Sequence, residues 1–144
     1  MIKQTSHSAK ILTTLGALFF FTLSFSKSIG FDQDYSRLNA YALTILAFLS
    51  GTHWGLAVSH SEMGPIILVR SNILALMVFF LLYTGQYSPV ALSILFGYGL
   101  YADFALKKEG YISEDYFKIR QRATIVVLIS LAITILLDAN LKIL

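Results

Sequence analysis

Hydrophobic positions in this chain gather into five long runs, at residues 11–26, 38–59, 65–83, 88–106 and 123–137. Most approach the ~20 residues that a helix needs to cross a bilayer. The breaks between them carry helix punctuation. Gly64-Pro65 restarts the chain with proline in a first turn, where its missing N–H costs nothing. Ser88-Pro89 does the same after a short uncharged turn at 84–87. Gly110 suits a C-cap, and Ser113 with Glu114 and Asp115 opens the last helix where its dipole favours carboxylates. That helix begins with an amphipathic stretch, 116–122, expected at the membrane interface. The pattern predicts an all-α protein, a polytopic transmembrane bundle of five spans, as one membrane domain over residues 1–144. The first run follows Lys3, His7 and Lys10, an arrangement shared with cleavable signal peptides. At 16 residues it exceeds the usual h-region and more spans follow, so it is read as the first span.

The run at 41–60 is the expected centre of the bundle. Ala47, Gly51, Gly55 and Ser59, each four residues after the last, form a ridge of small side chains. Such ridges let another helix approach closely, so the fourth helix is expected to pack there through Gly97 or Gly99. Roughly opposite lie Asn39, Ser50, His53 and His60, a polar face that turns toward other helices or a cavity.

Composition supports the membrane class. Hydrophobic residues make up 56% and charged residues 13%, against about 25% charged in soluble domains; mean hydropathy is +0.70. There is no cysteine, hence no thiolate chemistry, and the formal charge of +3 gives no reason to expect nucleic acid. Where the cations lie is more informative. Lys3, Lys10, Lys107, Lys108, Lys118, Arg120 and Arg122 fall on one side of a five-span topology, and Lys27, Arg37 and Lys142 on the other. The positive-inside rule then predicts a cytoplasmic N-terminus and an external C-terminus.

In that topology His53, Arg70 and Asp103, from three helices of alternating direction, reach one layer near the cytoplasmic side, with Trp54, Tyr98 and Tyr101 near it. A buried arginine costs about 2.5–3.5 kcal/mol on insertion scales and wants a partner. An Arg70–Asp103 pair is expected, with His53 beside it. Metal chemistry lacks ligands: there is no HExxH, and no close carboxylate–histidine spacing. His53 and His60, about 10.5 Å apart in rise, cannot both bind one haem iron, which leaves open a haem on one histidine or one shared across a dimer. No phosphate-binding glycine loop is present, and no cofactor is predicted.

Residues 47–57, AFLSGTHWGLA, carry a recognisable pattern within Phe48 to Gly55: a phenylalanine or leucine, a small residue, Gly51, two residues, then Trp54-Gly55. In this the chain resembles a family of small inner-membrane proteins sharing a domain of unknown function, bacterial, with a mitochondrial relative called transmembrane protein sixty-nine. Weaker matches are the glycine-rich helix ending in Asp103 and the segment 116–128. The resemblance implies a helical inner-membrane protein and brings no activity or catalytic residue with it. Two functional classes stay open. One is a non-enzymatic accessory or assembly subunit or small transporter, partnered by the lipid bilayer and by a second copy or a larger membrane complex. The other is a membrane-embedded enzyme acting on a lipid or quinone, with His53 as base and Asp103 orienting it.

Overall fold

The computed structural model describes residues 2–26, 29, 35–60, 62–85 and 88–141, with side chains from residue 7 to residue 138. Five helices follow in order: α1 (Ile2–Ser24), α2 (Ser36–Ser59), α3 (Pro65–Thr84), α4 (Pro89–Lys108) and α5 (Glu114–Leu141). Much of the connection at 27–34, the end of the uncharged turn at Gln86 and Tyr87, and the tail from Lys142 lie outside the described residues.

Helix ends follow local chemistry. Pro65 and Pro89 stand in first turns, and α3 ends on Gly85 at φ 63°, a left-handed conformation that glycine adopts without a Cβ clash. After α4, Gly110 (φ 85°) donates to the Lys107 carbonyl and Tyr111 to that of Leu106, satisfying two carbonyls the helix leaves open. The Ser113 hydroxyl then accepts the Tyr116 N–H at 3.2 Å as the N-cap of α5. Lys107 and Glu114, 2.6 Å apart, tie the two sides of this corner together.

The helices pair mainly as α2 on α3, α4 on α5 and α1 on α5, while α2 also reaches α1 and α4. Each central helix buries a stripe whose members recur every three or four residues. In α2 it is Asn39, Ala42, Leu46, Leu49, His53 and Ala57; in α4 it is Leu92, Phe96, Gly99, Asp103 and Leu106. In α5 it is Phe117, Arg120, Thr124, Val127, Leu131 and Thr134. This spacing keeps one narrow seam against the neighbours along several turns. Phe20, Leu38, Leu46, Leu74, Leu92 and Leu131 fill the middle.

Four of the described helices, α2 to α5, are long and apolar enough to cross a membrane, one fewer than the five spans expected. The exception is α1. The helix takes in the polar residues from Lys3 to Lys10 and stops at Ser24, two residues before the apolar run does. Its apolar part, residues 11–24, rises only about 21 Å against a hydrocarbon core of about 30 Å.

The small-residue ridge also departs from expectation. Ala47, Gly51, Gly55 and Ser59 are all exposed, and a Cβ built on Gly51 or Gly55 meets nothing within 4 Å. Gly97 is likewise open, so among the described residues no helix packs on the ridge through it. With α1, α3 and α4 arrayed around its seam and flanks, α2 has no neighbour among the described residues left for the ridge. Close approach happens elsewhere. The Ser50 hydroxyl donates to the Ser71 carbonyl at 2.7 Å, joining α2 to α3. A Cβ on Gly16 would lie 3.2 Å from the Tyr41 hydroxyl, and one on Gly99 would lie 3.7 Å from Leu49. Gly99 thus does face α2, but on the seam.

This packing predicts opposite responses to substitution. Gly51→Ala and Gly55→Ala should raise stability by about 0.5–1 kcal/mol through helix propensity alone, whereas Leu46→Ala should lose about 2–5 kcal/mol. Thermal unfolding of the detergent-solubilised variants measures both. A loss at either glycine would mean that another helix covers that face.

Candidate functional site

Three polar side chains meet where the seams of α2, α4 and α5 converge. His53 is 5% exposed and Asp103 2%. The Nε2 of His53 lies 2.8 Å from Oδ1 of Asp103, and Nε of Arg120 donates to Oδ2 at 3.1 Å. The Arg120 side chain is 12% exposed. One carboxylate therefore bridges two helices besides its own. An ionised carboxylate only accepts, so a neutral His53 carries its proton on Nε2 and keeps its lone pair on Nδ1. Among the described residues Nδ1 makes no hydrogen bond.

Two cavities flank the group. One, of about 300 Å³, is lined by His53, Asp103, Thr52 and Tyr116 and reaches Ile112 and Ser113 at the α4–α5 corner. The other, of about 460 Å³, lies between α1, α2 and α5 and is mainly apolar, with Phe48, Ile45 and Phe96 in its wall and Arg120 at its polar end. Thr52 and Tyr116 line both. The arrangement offers a base held in one tautomer, a fixed cation, and space on either side. Among the described residues no three His, Asp or Glu side chains cluster in a way that would hold a metal ion.

Of the residues singled out from sequence, His53 and Asp103 come together. Arg70 does not join them as a pair: both oxygens of Asp103 are engaged, by His53 and Arg120. Arg70 is half-buried in α3, across a small gap from His53, with Glu109 on the same rim, and among the described residues makes no ion pair. Trp54, 50% exposed, and Tyr101, 58% exposed, point out of the bundle. Tyr98 packs on the core instead. His60 ends α2, its Nδ1 near the Leu56 carbonyl and the Ser59 hydroxyl and its ring edge-on to Tyr111.

Arg120 is the member that sequence reasoning missed. Counting it among the interfacial cations put it outside the bundle. Its signal was the spacing of Phe117, Arg120, Thr124 and Val127, which places it on the same stripe as the apolar residues that follow.

The family "Protein of unknown function (DUF3429)" matches residues 5–136, nearly the whole chain, and the protein belongs to it. No curated protein and no solved structure matches the chain. The match spans all three helices of the polar site.

Breaking a buried ion pair from one side leaves a charge unpaired, at about 3–5 kcal/mol. Arg120→Gln should lose about that much, and Asp103→Asn introduced with it should recover part of the loss. A double-mutant cycle by thermal unfolding should give a coupling of about 0.5–3 kcal/mol for Asp103 with Arg120. The effects of Asp103→Asn and Arg70→Gln should simply add.

Proposed function

We propose that this family member is a non-enzymatic multi-pass inner-membrane protein that works as a small proton-linked transporter, with His53 as its proton-accepting group. The observation that carries the reading is that His53 couples a cavity to a buried ion pair: among the described residues Nδ1 makes no hydrogen bond, and Nε2 rests on Asp103. A proton taken up on Nδ1 makes His53 a cation. Asp103 then stands between two positive groups, and the hold of α4 on α5 through Arg120 weakens. A change of charge in the cavity thereby becomes a change of helix contact, which is what alternating access needs. Other ionisable groups near His53 are Tyr116 on α5, Arg70 on α3 and Glu109 after α4.

The same reading has all five helices crossing the inner membrane. α1 lies along α5, with Lys10 sharing a groove with Asp115 and Lys118, and Ala17 sharing it with Ala123. A short apolar stretch is tolerated where a helix is covered by protein on one side, and the bilayer adjusts at modest cost. The basic residues then set the N-terminus in the cytoplasm and the C-terminus outside. Two copies, or a larger membrane complex, would complete a transport path that five helices alone make narrow.

A second reading is favoured by the apolar cavity that ends at Arg120. A lipid or quinone entering from the bilayer would bring its polar head to the group, where His53 acts as base. Mass spectrometry of lipids and quinones incubated with the protein tests this; product formation that His53→Gln abolishes supports it.

Two measurements examine the main proposal. Proteoliposomes with an imposed pH gradient and an internal pH-sensitive dye should show protein-dependent dissipation that His53→Gln lowers about a hundredfold or more, the usual range for a lost acid–base group. Traces equal to those of empty liposomes would overturn transport in favour of an accessory role, to be sought by native purification of partners. Reporter fusions should be cytoplasmically active after Gly110 and externally active after Leu144; a cytoplasmic C-terminus would remove α1 from the spans.

A further inference from the structure

We infer that the groove between α1 and α5 binds the headgroup of an anionic glycerophospholipid from the leaflet on the α4–α5 corner side. The groove has a volume of about 520 Å³. One end is charged, with Lys10 from α1 and Lys118, Arg122 and Asp115 from α5. The other end is apolar, walled by Ala17, Leu18 and Val126.

The change from charged to apolar runs in the same direction along both helices, with Lys10 beside Asp115 and Lys118 and Ala17 beside Ala123. Lys10 immediately precedes the apolar run of α1, and Arg122 immediately precedes that of α5. The cations therefore stand at headgroup depth, and the apolar wall continues into hydrocarbon beneath them, as a phosphate esterified to acyl chains requires. A soluble anion would use only half of this surface.

The charge balance favours an anion. Among the described residues Lys10 and Arg122 make no ion pair. Lys118 is 3.7 Å from Glu114, but that carboxylate is held more closely by Lys107, at 2.6 Å. Among the described residues Asp115 is the one carboxylate lining the groove, against three cations, and it should weaken the site. The Thr13 hydroxyl is a further donor on the α1 wall.

The inference rests on the membrane reading of the helices and is independent of any role for His53. Its test is native mass spectrometry of the full chain in detergent, titrated with phosphatidylglycerol, with phosphatidylcholine of the same acyl chains, and with glycerol 3-phosphate. Phosphatidylglycerol should bind in preference to phosphatidylcholine, and glycerol 3-phosphate should not displace it. One basic residue near a membrane surface is worth about fivefold in affinity. Arg122→Gln should therefore weaken phosphatidylglycerol about fivefold, and K10Q/K118Q/R122Q together on the order of a hundredfold. Asp115→Asn should tighten it, an opposite change that a damaged fold cannot mimic. Equal binding of the two lipids, full displacement by glycerol 3-phosphate, or an Asp115→Asn variant that binds no better would overturn the inference. Because His53→Gln leaves the groove intact, lipid binding should survive in that variant even where proton flux is lost.

Discussion

A single buried carboxylate organises the polar interior of this bundle. Asp103 cannot lie ionised in an apolar seam without compensation, since a lone charge at membrane depth costs several kcal/mol. Its two oxygens are met from two other helices, by His53 of α2 and Arg120 of α5. Those two bonds set the depth of α2 and α5 relative to α4 in a way that apolar packing alone does not, because leucine seams tolerate sliding by a turn and hydrogen bonds at 2.8 and 3.1 Å do not.

The remaining helices serve that arrangement unequally. α4 and α5 are joined at a short corner closed by Gly110, the Ser113 cap and the Lys107–Glu114 pair. α1 covers α5, and its contact with α2 is slighter, bringing Gly16 under the Tyr41 hydroxyl. The 460 Å³ cavity lies in the space left between them. α3 leans on α2 through Ser50 and Ser71 and turns Ile73, Leu76, Phe80 and other large apolar side chains outward. Outside water these side chains need no cover, so their exposure fits a lipid surroundings.

The contrast between the ridge and the seam shows what a sequence pattern can carry. Ala47, Gly51, Gly55 and Ser59 form a surface on which a helix fits closely, and the spacing is sound as geometry. Whether a helix lies there depends on how many neighbours the bundle supplies and on which sides. The seam residues are different, because a polar group such as His53 is costly to leave facing lipid. A helix turns its most costly side chains inward first, and small residues, which lose little by facing lipid, take the remaining surface.

The sequence by itself determined the helical class, the family, the positions of α2, α3 and α4 within two residues at each boundary, and the inward placement of His53 and Asp103. These are properties of composition and of single helices: apolar length, caps, and the cost of polar atoms in hydrocarbon. Only the tertiary structure decided that Asp103 meets Arg120 and not Arg70, that the glycine ridge faces outward, and that α1 packs along α5. Pairing of that kind depends on the rotation and neighbour order of whole helices. Depth can be counted along a chain, but azimuth is settled only when every seam is packed at once.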